Sequence, residues 1–214
     1  LKSDLINQYG SLKVFNLKSE LTAANRYGST LVENIEEAVD LDLAYGSSEI
    51  NDLASSLNLE SAYTENKIKN IEGEFNLESA YGFNKIENIK SDLTINSRYG
   101  GAEINSAADI EINSRYTGFS FRDIKGKINA DIDYGDLRLR QSSDLDLELQ
   151  YADCLIESLS DYELYNYDLA VEYGNIEVDF AESESGNKNE FNYQGNRAEY
   201  NIKINSEYGD IEIR

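Results

Sequence analysis

The chain is predicted to be all-β: a single-stranded parallel β-helix, or β-solenoid, with about 18 residues per coil and about 12 coils in its 214 residues. Three observations predict this. Tyr9, Tyr27, Tyr45, Tyr63, Tyr81 and Tyr99 recur every 18 residues, and the series continues through Tyr116, Tyr134, Tyr151, Tyr173 and Tyr208. Glycine follows most of these tyrosines. Apolar residues keep fixed places between them. A constant period near 20 marks a repeat whose single coil cannot bury its apolar face, so neighbouring coils stack to share one core.

Each element follows when the recurrent tyrosine is numbered slot 9 of its coil. Slots 3 and 5 are apolar, as in Phe75 and Leu77, Leu93 and Ile95, or Leu145 and Leu147. Slot 7 is small or apolar: Ser61, Ser79, Ser97, Ser114, Ile132 and Leu149. This alternation is the pattern of a strand with one buried face. It predicts that the slot 9 tyrosines lie inward or at a corner edge as one ladder. An exposed aromatic row for sugar stacking is the alternative, disfavoured because slot 9 shares parity with the buried slots. Glycine at slot 10 permits positive φ or close backbone approach. A second, shorter strand follows, with slot 14 apolar throughout: Ile50, Ile68, Ile86, Ile104, Phe121, Leu139 and Ile156. Slot 17 is usually apolar, Leu159 included. Slot 16 holds Asn16, Asn34, Asn70 and Asn88, with Asp52 and Asp123 as variants. Asn tolerates turn conformations and its amide bonds to neighbours above and below, so a corner column is expected.

Length changes fall at one place. The short steps ending at Tyr116 and Tyr151 fit a deletion between slots 17 and 2, and the long step to Tyr173 fits an insertion there, near Asp161 to Tyr165. That corner reads as an exposed loop. The polar stretch Glu182 to Glu190 reads as a protruding or mobile loop. Residues 1–214 thus form one domain, with irregular coils over about 161–200.

Composition narrows the functions. The net charge is −22, which argues against nucleic acid as a partner, because phosphate binding needs a basic footprint. No run of about 18 apolar residues occurs, so this segment is not expected to insert into a membrane. There is no His and one cysteine, Cys154, so no disulfide framework or multi-cysteine metal site is expected, and Cys154 reads as a buried thiol. No cofactor is expected: phosphate loop, nucleophile elbow and CxxC are all missing. The start at Leu1, inside a repeat, suggests a processed or trimmed segment.

The remaining chemistry is acidic. Stacking places Asp131 beside Glu148, with Asp133 and Asp146 nearby. Clustered carboxylates are weak candidates for holding Ca²⁺, which takes several hard oxygen ligands. The same group is a candidate carboxylate pair for polysaccharide cleavage. A solvated acidic face is the plainer reading, because a flat ladder neither encloses a substrate nor raises a pKa. No catalytic residue is assigned.

The units NRYGSTLVENIE, SAYGFNKIENIK and SRYGGAEINSAADIEI, and the ending SEYGDIEIR, resemble repeats of a bacterial adhesin β-helix family common in Bacteroidota and similar to autotransporter-adhesin heads. The resemblance spans nearly the whole chain. It implies a right-handed parallel β-helix exported to the periplasm or cell surface, and it carries over no binding residue. The expectation is a non-enzymatic adhesive or scaffolding surface whose partner is a protein or glycan. The alternatives are a polysaccharide-acting β-helix enzyme and a cation-dependent binding module.

Overall fold

The computed structural model describes residues 2–140, 143–157, 161–181 and 184–214 and shows a β-solenoid of stacked parallel strands. Leu159 lies outside the described residues. Each level carries two strand segments that meet at the tyrosine. In some levels they run on as one strand, as in Val39–Leu53 and Leu57–Ile71. Elsewhere they are separate, as in Phe75–Ala80 and Phe83–Ile89.

The core follows the apolar slots. Ile50 pairs with Ile68, Ile68 with Ile86, Ile86 with Ile104, and Ile104 with Phe121. All five are buried. Burying one such side chain contributes about 1.5–3 kcal/mol, and the column repeats that gain at every level. Polar atoms inside are organised too. Asn66 Nδ2 donates to Ser61 Oγ at 3.0 Å and to Asn84 Oδ1 at 2.8 Å, and Asn84 Nδ2 donates to Ser79 Oγ at 3.0 Å. In the next two levels Ala102 and Phe119 take the place of the amide, and the hydroxyls of Ser97 and Ser114 have no hydrogen bond.

Both corners use left-handed backbone. Among the described residues seventeen other than glycine have positive φ, and all sit at slot 9 or slot 16. At slot 16 these are Asn16, Asn34, Asn70 and Asn88 with Asp52, Ser106 and Asp123. Asn70 donates to Asp52 and Asn88 to Asn70, each at 2.7 Å, as the expected corner column requires. At slot 9 the tyrosines themselves are left-handed, with φ between 53° and 60° from Tyr27 onward. This corrects the parity argument. Counting alternate residues assumes extended backbone, and one left-handed residue resets the alternation. The tyrosines therefore point outward, 41–53% exposed from Tyr27 to Tyr208. Glycine at slot 10 serves close approach: a Cβ on Gly46 would lie 1.8 Å from the Gly28 carbonyl oxygen. Only Gly10 shows the positive φ that slot 10 permits.

The order of levels also departs from expectation. Nine turns, from Tyr9 to Tyr151, stack in sequence order. The next level is made by the last residues of the chain. Strand Leu145–Gln150 pairs with Tyr200–Glu207, and Cys154–Glu157 pairs with Ile211–Ile213. Those two segments pair on their other side with Tyr165–Val178. The terminal coil is thus inserted between two earlier ones, and the ladder runs Tyr151, Tyr208, Tyr173. A twelfth coil is replaced by strand Glu184–Gln194, which pairs antiparallel with Tyr165–Val178. The stretch Glu182 to Glu190 is therefore mostly a capping strand rather than a protruding loop; Glu182 and Ser183 lie outside the described residues. An antiparallel cap closes the outermost parallel edge, which would otherwise template further pairing.

The insertion corner exists as expected and holds the cap. Tyr162–Leu164 form one 3-10 turn with Asp161 as its N-cap. Residues 195–199 strap across it: Arg197 N donates to Glu163 O at 3.0 Å, and Arg197 pairs with Asp161 at 2.5 Å. Under the strap Tyr162 stacks on Phe180, and Tyr193 Oη donates to Glu163 Oε1 at 2.7 Å. That bond pushes the Tyr193 hydroxyl up to about 12. The region expected to be irregular, 161–200, is thus two strands and a tied corner.

Candidate functional site

The tyrosine corner is a continuous row of exposed aromatic side chains. From Tyr27 to Tyr208 adjacent rings lie 4.7–5.0 Å apart and within 14° of parallel. The spacing follows the strand spacing of about 4.8 Å. Each ring face is covered by its neighbours, so solvent meets edges and hydroxyls. Stacking a sugar needs a free face, and the interior of the ladder has none. Offset ring pairs contribute about 0.5–1.5 kcal/mol each. That offsets a left-handed residue, which costs about 1–2 kcal/mol. The ladder thus accounts for its own strained corner.

The outward side of the longer strand forms a polar trough. Slot 6 supplies Asp42, Glu60 and Glu78, then Asn96, Asn113 and Asp131. Short Ala62 and Ala80 at slot 8 leave its floor low. Its volume is about 860 Å³. A second concavity of about 460 Å³ shares Asp131 and Asp133 and runs on past Glu148 to Glu190 of the capping strand. The two concavities adjoin at Asp131 and Asp133.

Asp131, Asp133, Asp146 and Glu148 are brought to this region, but not to a common point. Asp131 is the register neighbour of Glu148, Asn129 of Asp146, and Asp133 of Gln150. Asp133 accepts from Arg115 at 2.8 and 3.1 Å. Asp146 lies between Lys127 at 3.1 Å and Lys203 at 3.4 Å, and those cations hold its carboxyl below the ordinary range. Glu148 accepts from Asn205 at 2.6 Å. Among the described residues, no group of three or more His, Cys, Asp or Glu is placed to hold a metal ion. Other carboxylates with perturbed acidity, Glu87, Glu157 and Glu163, are also lowered, led by hydrogen bonds from Lys69, Arg140 and Tyr193 respectively. Each is held in its charged form, the opposite of what a general acid needs. Cys154 is buried, and burial pushes its thiol up to about 12, which makes it unreactive.

Sequence reasoning missed a second feature, on the shorter strand. Phe83, at slot 11, is 42% exposed and stacks on no other ring among the described residues. The only signal was an aromatic residue where other coils carry Ser, Gly, Asp, Glu or Asn.

Among the described residues no helix is long and apolar enough to cross a membrane. No curated protein and no solved structure matches the chain. A family model does match, over residues 7–214, and its description is Toastrack DUF4097.

Proposed function

The chain belongs to the Toastrack DUF4097 family, and from that premise we propose that it is a non-enzymatic, exported β-solenoid that presents a binding or adhesive surface. The observation that carries this is the pair of adjoining open concavities, one lined from Asp42 to Asp133 and the next reaching Glu190, across levels of the stack. It repeats hydrogen-bonding groups at the coil spacing, which suits an extended protein or glycan partner lying along the axis. A rigid scaffold bearing such a face is a common basis for recognition. The carboxyls with a shifted pKa are all lowered and so held charged, which supports binding over acid catalysis. The resemblance of the repeats to adhesin β-helices points the same way, and from it comes the proposal of a periplasmic or cell-surface location.

The test is attachment against turnover. The intact protein should adhere to glycoprotein or polysaccharide surfaces and release no product from them. Adhesion should weaken when Glu60 and Glu78 are both changed to Gln, with folding unchanged. Hydrolysis or elimination of any polysaccharide, lost in Asp131→Asn or Glu148→Gln, would replace this reading with an enzyme.

A further inference from the structure

The shorter strands carry a notch of about 490 Å³ on their outer side. Its floor is two glycines in register, Gly101 and Gly118. Phe83 closes one end, in register with Gly101. Asp136 lies beyond Gly118, its carbonyl accepting from Phe119 N at 2.9 Å, and the notch runs on to Asp153 and Leu155 of the next level. Glu103, Ser120 and Arg138 stand along one side. From Phe83 to Asp136 is three strand spacings, roughly 14 Å.

The two glycines differ in what they are for. A Cβ on Gly101 would lie 3.0 Å from two carbons of the Phe83 ring, so that ring leans over the bare backbone. Gly118 has no such reason. Its φ is not in the left-handed region, and a Cβ there would make only an ordinary contact, 3.6 Å from the Asp136 carbonyl oxygen. The other glycines whose surroundings are described either have positive φ or would collide with a neighbour. Glycine inside a strand weakens it, and where no turn or clash requires one, it often marks the close approach of a ligand.

The side chains around this floor are also uncommitted. Among the described residues the carboxylates of Glu103 and Asp136 and the hydroxyl of Ser120 have no hydrogen bond or ion pair. An exposed aromatic ring beside a bare floor, with a few convergent polar groups, is the composition of a small-ligand site.

We propose that this notch binds a neutral saccharide, with the apolar C–H face of one pyranose ring on Phe83 and its hydroxyls donating to Glu103 and Asp136. Uncharged sugars supply many O–H donors to such acceptors and do not oppose Arg138. A cation is the weaker fit, because cation recognition favours several rings around the charge and keeps a guanidinium away. The proposal rests on reading the chain as a binding surface and names one ligand class for it.

Ligand-observed and amide-resolved NMR on the full chain tests it, with cellotetraose, N,N′-diacetylchitobiose and maltotetraose as separate probes and tetramethylammonium as the competing one. At least one sugar should shift the Gly101 and Gly118 amides in a saturable way. Gly118→Val should weaken that binding at least tenfold while its melting temperature stays equal or rises, because a branched side chain favours a strand. Phe83→Ala should lose binding as well. The proposal is overturned if none of the three sugars moves those amides, if tetramethylammonium alone does, or if Gly118→Val binds as the parent does. If the sugars fail while the intact protein still adheres without turnover, the notch assignment falls and the surface reading stands.

Discussion

Asn66 donates a hydrogen bond to Asn84 at 2.8 Å inside the core, and each amide also reaches the serine five residues before it. This internal amide column stops at Ala102, and the serine of that level, Ser97, is left buried with a free hydroxyl. The same substitution should therefore have opposite effects one level apart. Ser79→Ala leaves an Asn84 N–H without its acceptor and should cost about 1–3 kcal/mol. Ser97→Ala removes an unsatisfied hydroxyl and should be neutral or stabilising by up to about 1 kcal/mol. Urea unfolding of both variants checks this, and equal losses would contradict it.

The isoleucine column predicts a graded response at Ile86, which is fully buried between Ile68 and Ile104. Ile86→Val should cost about 0.5–1.5 kcal/mol. Ile86→Asp should cost several kcal/mol, because it places an unpaired charge in the core. A melting temperature of Ile86→Asp close to the parent's would show that the column is not the core.

Tyr81 stacks on Tyr63 at 4.8 Å and on Tyr99 at 4.9 Å. Tyr81→Ala loses both contacts and keeps a left-handed corner, so a loss of about 1–3 kcal/mol is expected. Tyr81→Phe retains both rings and should stay within about 0.5 kcal/mol of the parent. Calorimetry of the pair separates stacking from the hydroxyl.

Asp146 joins three levels, through Lys127 below and Lys203 above. Its pKa is lowered, first by the hydrogen bond from Lys127. The contribution is therefore complete above its ordinary value of 3.8 and is lost as pH falls through the lower folded value. Asp146→Asn should cost no more than about 1 kcal/mol near neutrality, since the group is partly exposed and screened. The difference from the parent should shrink as pH falls below 3.8. A gap that widens on acidification would contradict this sign.

Much of the fold was legible from periodicity. Coil length, the slot 14 column, the asparagine corner and the insertion corner all follow from residue spacing, because a stacked repeat turns sequence interval directly into contact. Parity failed at Tyr81 and its equivalents because φ is not written in an apolar pattern, and tyrosine is not a residue that signals a left-handed turn. The order of the last levels failed for another reason. Ser206-Glu207-Tyr208-Gly209 repeats the Ser-x-Tyr-Gly pattern of Ser79 to Gly82 and Ser97 to Gly100, and nothing local ties it to Tyr151 or Tyr173. The capping strand was read as a loop because Glu182 to Glu190 is polar throughout, as one face of an outermost strand can be. Of the candidate sites, the acidic region was legible by stacking; the notch at Phe83 was not, since it depends on side chains that Gly101 and Gly118 lack.

The inserted terminal coil has a consequence for how the molecule is made. The first nine turns can form as the chain leaves the ribosome, each templated by the one before. The tenth level cannot, because the residues that fill it follow those of the level beyond it in sequence and pair with partners 57 positions earlier. Until they arrive, Leu145–Gln150 and Tyr165–Val178 each expose an edge, or pair transiently with each other in a register that must then open. Closing so long a loop is slow relative to local zipping. A chain that lacked residues 200–213 would therefore be open between Leu145–Gln150 and Tyr165–Val178 rather than frayed at an outer level.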